Sequence, residues 1–246
     1  MEEGVYHEMR AKEDRFWWHR GMREIHKAIL DVYFRKDPGN EILDVGCGTG
    51  GMLETLSRYG SVRGIDFSDI AVGHARSRNV GTVIKAEADK IPFNDRTFDL
   101  VSCFDVLYHR AIENDELVLK EFLRVLKPGG SLLIREPAFW WLYGRHDQIV
   151  WTSRRYSKKE LVRKIENAGF DVIKSSYVNF FLMPFIFINR LLAPKLTKPD
   201  NNYKSTFIDY PILSQIFKTF LLLEARLIKH INFPLGSSVI CFARKR

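Results

Sequence analysis

The stretch Glu41-Ile42-Leu43-Asp44-Val45-Gly46-Cys47-Gly48-Thr49-Gly50-Gly51 decides the fold. Its first five residues read as a short buried strand, Glu41–Val45, that runs into a glycine-rich turn. Beyond the turn a helical pattern opens at about Gly51–Arg58. Glycine suits such a turn because a side chain would keep a ligand away from the backbone. Working outward, Val62–Ile65, Val83–Ala86, Leu100–Phe104 and Ser131–Arg135 are further strand candidates. Helical patterns at Ser68–Ser77 and Glu113–Val125 lie between them, and Lys127-Pro128-Gly129-Gly130 breaks the last before the fifth strand. Strands alternating with helices imply parallel βαβ units, an α/β fold with helices on both faces of the sheet.

The turn satisfies G-x-G-x-x-G through Gly46, Gly48 and Gly51, a pattern shared with dinucleotide sites and weak by itself. Asp44 separates the two readings. A pyrophosphate would sit at the helix N-terminus, where a carboxylate beside it repels it. S-adenosylmethionine carries no phosphate, and the carboxylate attracts the ammonium of its methionine end. Asp66 stands twenty residues beyond Gly46 at the end of the next strand, where a carboxylate can accept from both ribose hydroxyls. Asp89, in Ala88-Asp89-Lys90-Ile91-Pro92-Phe93, can accept from an adenine amino group. The blander alternatives are a structural glycine turn, a capping Asp66 and a solvated Asp89.

Taken in order, five motifs resemble the class I S-adenosylmethionine-dependent methyltransferases (methyltransferase type 11), in the branch that includes the quinone-biosynthesis enzymes. They are Asp44-x-Gly-x-Gly-x-Gly50, Gly64-Ile-Asp66, Ala88-Asp89-x-x-Pro-Phe93, Phe98-Asp-Leu-Val101 and Arg124-Val-Leu-Lys-Pro-Gly-Gly130. The match covers about residues 41–135. The resemblance implies a Rossmann-like seven-stranded, mostly parallel sheet with an antiparallel last strand. Phe170–Tyr177 and Ser238–Ala243 are then the sixth and seventh strands. It also implies that Asp44, Gly46, Cys47, Gly48 and Gly50 hold the methionine end. Asp66 then holds the ribose and Asp89 the adenine, Phe104 lies beside the sulfonium, and Phe67 and Ala88 are further cofactor-binding candidates.

Methyl transfer from a sulfonium is an in-line displacement, and holding the acceptor in line supplies much of the rate. A base is required only if the acceptor loses a proton. His109, after the fourth strand, is the candidate base, or else a cap or packing residue; Tyr108 beside it is a candidate acceptor contact. A second candidate is His146-Asp147, a His held by an Asp. Arg154, Arg155 and Tyr156 follow, and paired arginines can clamp a phosphate or carboxylate. On an N-terminal helix, about Glu8–Leu30, Trp17, Trp18, Arg20 and Arg23 form either a lid over the sulfonium or a packing face. The Trp17–Arg23, His146-Asp147, Arg154–Tyr156 and Pro234-Leu-Gly-Ser237 segments resemble methyltransferases found with surface-polysaccharide and lipid-linked sugar assembly.

The 246 residues suit a single domain: an N-terminal helical cap (1–36), a cofactor-binding core (41–135) and an apolar insert (178–235) between the last two strands. The net charge of +8 favours anionic partners, but it is spread out and no recognition motif accompanies it, so a nucleic-acid partner is not expected. Cys47, Cys103 and Cys241 form no CxxC pair and have no His cluster near them. Neither a metal site nor a disulfide framework is expected. The N-terminus has no apolar signal region, so a cytoplasmic location is expected.

The insert combines Phe180–Leu192 with a helix-like Pro211–Ile231. Its apolar run is too short to span a bilayer. It is core cover, the wall of an apolar acceptor pocket, or a membrane-interface segment with Lys195, Lys198 and Lys204 among the headgroups. The expected function is methyl transfer to a small or lipid-linked acceptor, at oxygen, in the cytoplasm or at an anionic membrane surface. The competing readings are an NAD(P)-linked oxidoreductase, which Asp44 and the Asp89 loop disfavour, and a non-catalytic cofactor-binding scaffold acting through the insert.

Overall fold

The computed structural model describes residues 3–188 and 211–246. Lys195, Lys198, Lys204 and the end of the Phe180–Leu192 pattern lie outside the described residues. Five strands are parallel: β1 (Glu41–Val45), β2 (Ser61–Asp66), β3 (Thr82–Lys85), β4 (Phe98–Phe104) and β5 (Leu126–Pro137). With β6 (Phe170–Val178) and β7 (Ser238–Lys245) they form one sheet in the order β3-β2-β1-β4-β5-β7-β6, in which β7 is antiparallel to both neighbours. This is the Rossmann-like sheet that the motif order implies.

The chain winds from β1 toward β2 in one direction and toward β4 in the other. That reversal leaves a crevice at the C-terminal ends of β1 and β4, and the glycine turn lies there. β1 is central, so Ile42, Leu43 and Val45 are all buried and the strand reads as a continuous apolar run instead of an alternation.

Helices α1 (Glu3–Lys12), α2 (Trp17–Tyr33), α3 (Leu53–Leu56), α4 (Asp69–Arg76), α5 (Asp115–Val125), α6 (Arg145–Ile149), α7 (Lys158–Asn167) and α8 (Pro211–Leu227) surround the sheet. Their starts follow local chemistry. The Ser68 hydroxyl accepts from the Ala71 N–H, Asn114 from Glu116 and Ser157 from Glu160, each satisfying a free N–H of a first turn.

Three expectations need correction. The single helix Glu8–Leu30 is two, α1 and α2. The chain turns between them because the Glu13 side chain leaves the helix surface to accept from the Thr49 hydroxyl at 2.6 Å, while Arg23 Nη1 donates to the Glu13 carbonyl at 2.9 Å. The helix after the glycine turn is only Leu53–Leu56, since Gly50, at φ +84°, still belongs to the turn. Lys127–Gly130 does not precede β5 but bulges within it: Phe98 pairs with Leu126 and Leu100 with Ser131.

The insert is built into the body of the protein. α8 lies against α2, and a Cβ on Gly21 would come within 2.3 Å of Leu221 Cδ1, so this crossing requires glycine. The Trp17 and Phe217 rings stand 5.1 Å apart. Buried Glu224 of α8 accepts from the Asn179 N–H just after β6, and the Asn179 amide donates to Ser237 Oγ at 2.8 Å. Residues 183–188 are helical, and Phe185 meets Phe217 at 5.0 Å. The N-terminal cap and the insert therefore share one helical layer. Among the described residues no helix is long and apolar enough to cross a membrane.

Candidate active site

The glycine turn lies beside Asp44 of β1 and Asp66 at the end of β2, with Asp89 following β3. Gly46 and Gly48 adopt φ +68° and +54°, and a Cβ on Gly46 would strike Val106 Cγ2 at 2.2 Å. Cys47 is buried beneath the turn, and Gly64 on β2 makes room for its sulfur. Asp44 is buried and accepts from Ser102 Oγ at 2.7 Å. Burial pushes its carboxyl up to about 7, aided by the charge of Asp66 and opposed by the Ser102 hydroxyl. An ammonium placed beside it would reverse that shift.

Asp66 is held at both oxygens: Oδ2 accepts from the Gly48 N–H and Oδ1 from the Ser68 N–H, each at 2.9 Å. Each oxygen keeps further accepting capacity for a hydroxyl. Burial raises this carboxyl as well. Phe67 follows it, largely exposed, with Ala88 buried and Asp89 exposed beyond β3. The glycine turn, Asp44 and Asp66 thus meet at one place, with Ala88 and Asp89 beyond the neighbouring strand. A glycine turn with no side chain to block it, a buried carboxyl needing a cation and a fixed carboxylate at the end of β2 fit S-adenosylmethionine.

α1 covers this cleft. Tyr6 is buried near Asp66, and burial with that charge pushes its phenol up to about 12. Met9 Sδ lies 3.8 Å from the Cβ position of Gly48, and the Glu13 carboxylate packs on Gly51. Arg78 fastens the arrangement, donating to the Thr49 carbonyl at 2.8 Å and pairing with Glu13 and Asp14.

The other wall begins at Phe104, whose ring stacks on His26 of α2 at 4.0 Å. Asp105 follows at φ +57°, an uncommon conformation for a residue other than glycine, and pairs with the buried Arg135 guanidinium. Arg135 Nη1 stands 3.1 Å from His26 Nε2, and its guanidinium carbon 5.3 Å from the Trp18 ring. Burial and the Arg135 charge keep His26 well below its ordinary pKa, hence neutral. Glu136, fully buried, accepts from the N–H groups of Val106, Leu107 and Tyr108 and so fixes the loop after β4. Burial, then Asp105, pushes its carboxyl up to about 8.

His109 is buried between the rings of Phe67 (5.6 Å) and Trp151 (5.9 Å). Burial lowers it to about 4. Its Nδ1 accepts from the Ala111 N–H at 3.1 Å, which places the proton of the neutral ring on Nε2. That nitrogen is buried without a protein partner.

The remaining candidates hold the surrounding loops. Asp147 is buried, pairing with Arg155 at 2.6 Å and accepting from the Gly144 N–H, while His146 is exposed. Arg154 donates to the Ile112 carbonyl, and Arg155 also to that of Ala138. The Tyr156 hydroxyl donates to Asp115 at 2.8 Å. Arg23 fastens the α1–α2 turn, and Trp18 reaches the Arg135 wall. Tyr108, buried, has its N–H on Glu136. Glu13, His26, Asp105, Arg135 and Glu136 are not among the residues expected from the sequence. Acidic residues directly after β4 and at the end of β5 are a signal for two of these; Glu13 and His26 have none.

Residues 43–134 match the methyltransferase domain family. The demethylmenaquinone methyltransferase of Bacillus cytotoxicus is 29% identical over 65% of this chain and 80% of its own length. A ubiquinone/menaquinone biosynthesis C-methyltransferase of Cupriavidus taiwanensis is 32% identical over 54% of this chain; the chain spans 58% of it. Cycloartenol-C-24-methyltransferase 1 of rice is 28% identical, and the chain spans 48% of it. Among solved structures, geranyl diphosphate C-methyltransferase of Streptomyces coelicolor superposes with a TM-score of 0.61 at 15% identity, over 90% of this chain and 75% of that one. The [4+2]-cyclase SpnF superposes at 0.60 and 21% identity, over 93% and 83%, so the fold alone does not fix the reaction. The methyltransferase domain matched over residues 43–134, with the ordered motifs and the cleft, supports a class I S-adenosylmethionine-dependent methyltransferase.

Proposed function

We propose that the protein methylates a small or lipid-linked acceptor at oxygen, working in the cytoplasm at the surface of an anionic membrane. The observation that carries the acceptor chemistry is the buried Arg135–Asp105 pair beside Phe104. S-adenosylmethionine supplies an electrophilic methyl group. The chain's task is to bind it and to present an electron-rich atom in line. Asp44 holds the ammonium, Asp66 the ribose hydroxyls and Asp89 the adenine amino group. On the acceptor side, the fixed guanidinium stabilises an ionised hydroxyl without reorganising, while Trp18 and Phe104 offer apolar faces. His109 presents Nε2–H as a donor; acting as a base would require it to release Ala111. Arg154, Arg155 and Tyr156, with Asp147, build the wall that carries these groups.

The names of the quinone C-methyltransferase relatives favour a second reading, transfer to a ring carbon next to such a hydroxyl. An ionised phenol is nucleophilic at both atoms. Labelled-methyl transfer into lipid and soluble extracts, followed by ether cleavage of the product, tests the two. Label released by cleavage supports oxygen, and label retained supports carbon. Arg135→Gln should lower kcat by about 10²-fold, the scale of one lost oxyanion donor. An unchanged kcat would remove the guanidinium from the acceptor site.

A further inference from the structure

Two features of the helical layer take no part in the methyl-transfer cleft. A groove of about 290 Å³ lies where the α1–α2 turn meets α8, lined by Arg15, Arg20 and Lys218 among others. Lys12 at its edge pairs with Glu8. Arg15, Arg20 and Lys218 have no acidic partner among the described residues, so three uncompensated cations face one small space. Beside them, α8 exposes Ile212 (77%) and Ile216 (42%), four residues apart on one stripe that Leu223 continues. Phe185, packed on Phe217, links this stripe to exposed Phe187 and Trp141, whose rings lie 6.4 Å apart.

We propose that this side of the protein docks on an anionic phospholipid bilayer, with lipid phosphates in the groove and the α8 stripe in the headgroup–acyl boundary. A helix with an aliphatic stripe flanked by cations is the arrangement that lies in a membrane interface. Tryptophan suits the headgroup level, and the net charge of +8 attracts an acidic surface as a whole. A second copy of the chain would bring like charge against like. Nucleic acid would gain nothing from the isoleucines. The proposal deepens, and rests on, the reading of the acceptor as lipid-borne, since docking gives the cleft access to it.

The test uses the full chain in flotation with phosphatidylcholine vesicles, with and without phosphatidylglycerol. Wild-type protein is expected on the anionic vesicles and to leave them as salt is raised. Arg15→Gln with Lys218→Gln should weaken that binding about 25-fold, at about fivefold per charge. Ile212→Ser with Ile216→Ser should weaken it while leaving the salt dependence in place. Calorimetric titration of each variant with S-adenosylhomocysteine shows whether the fold and cofactor site survive, independently of docking. Wild-type protein that ignores anionic vesicles at low salt overturns the proposal. So does a charge variant that binds as wild type, or a concentration-dependent dimer abolished by the isoleucine changes. In each case normal S-adenosylhomocysteine binding leaves the methyltransferase reading intact, and normal activity on a lipid-linked acceptor would show that the acceptor reading outlives docking.

Discussion

At the glycine turn a buried carboxyl, Asp44, lies near a carboxylate held by two backbone N–H groups, Asp66. Asp66 is ready to accept, its oxygens oriented by Gly48 and Ser68. Asp66→Ala removes that acceptor, and loss of a charged hydrogen-bond partner costs about 1.5–3 kcal/mol. S-adenosylhomocysteine affinity should therefore drop by roughly ten- to a hundredfold, as titration of the folded variant would reveal; an unchanged Kd would place the ribose elsewhere. For His109 the hydrogen bond from Ala111 matters most. With Nδ1 occupied, His109→Ala should cost one neutral donor, about tenfold in kcat, whereas a general base would cost about 10²–10⁴-fold and remove a limb of the pH–rate profile. Residues of the cleft are legible in the sequence because glycine and aspartate recur at strand ends. Arg154, Arg155 and Tyr156 stand out in the sequence too, but their contacts do not, because the Ile112 carbonyl, Asp147 and Asp115 that engage them are identified only by the tertiary fold.

Among the elements, α1 covers the glycine turn. It lies on Gly48 and Gly51 through Met9 and Glu13, and Arg78 and Thr49 hold the buried Glu13 carboxylate. Glu13→Gln keeps the shape and removes the charge. The expected result is faster amide exchange across Glu3–Lys12 and S-adenosylhomocysteine release faster by at least about tenfold, since breaking a buried pair typically costs about 3–5 kcal/mol. Unaltered exchange and release would show that the latch does not hold the helix. The strands are legible to within a few residues because a buried parallel sheet demands apolar runs. The break between α1 and α2 is not, because helical periodicity continues across Glu13–Phe16 and the cause of the break is a side-chain contact with Thr49, thirty-six residues away. The insert reads as apolar, but its place on α2 depends on Gly21 meeting Leu221, a fit that no local pattern carries.

For the whole molecule, four buried carboxyls that burial raises, Asp44, Asp66, Glu136 and Glu224, set the pH response. Asp44 and Glu224 are pushed up to about 7 and Glu136 to about 8, each chiefly by burial. A carboxyl raised in the folded state contributes stability that is complete below its unfolded pKa of about 4 and is lost as pH climbs through the folded value. Asp115 and Glu121, lowered by Lys164 and Arg124, act oppositely and lose their contribution in acid. The ligand-free protein should therefore melt highest near pH 5 and lower at pH 8, with a shallower decline in Glu136→Gln. A Tm that rises over that interval would mean these carboxyls are already ionised in the fold.

A glycine turn beside a buried aspartate should select a sulfonium amino acid over a dinucleotide. Calorimetric titration of the full chain with S-adenosylmethionine, S-adenosylhomocysteine and NAD measures this directly. The first two should bind, more tightly as pH rises toward 7 because Asp44 gives up its proton to meet the ammonium, and NAD should not bind. NAD binding more tightly than S-adenosylmethionine would contradict this.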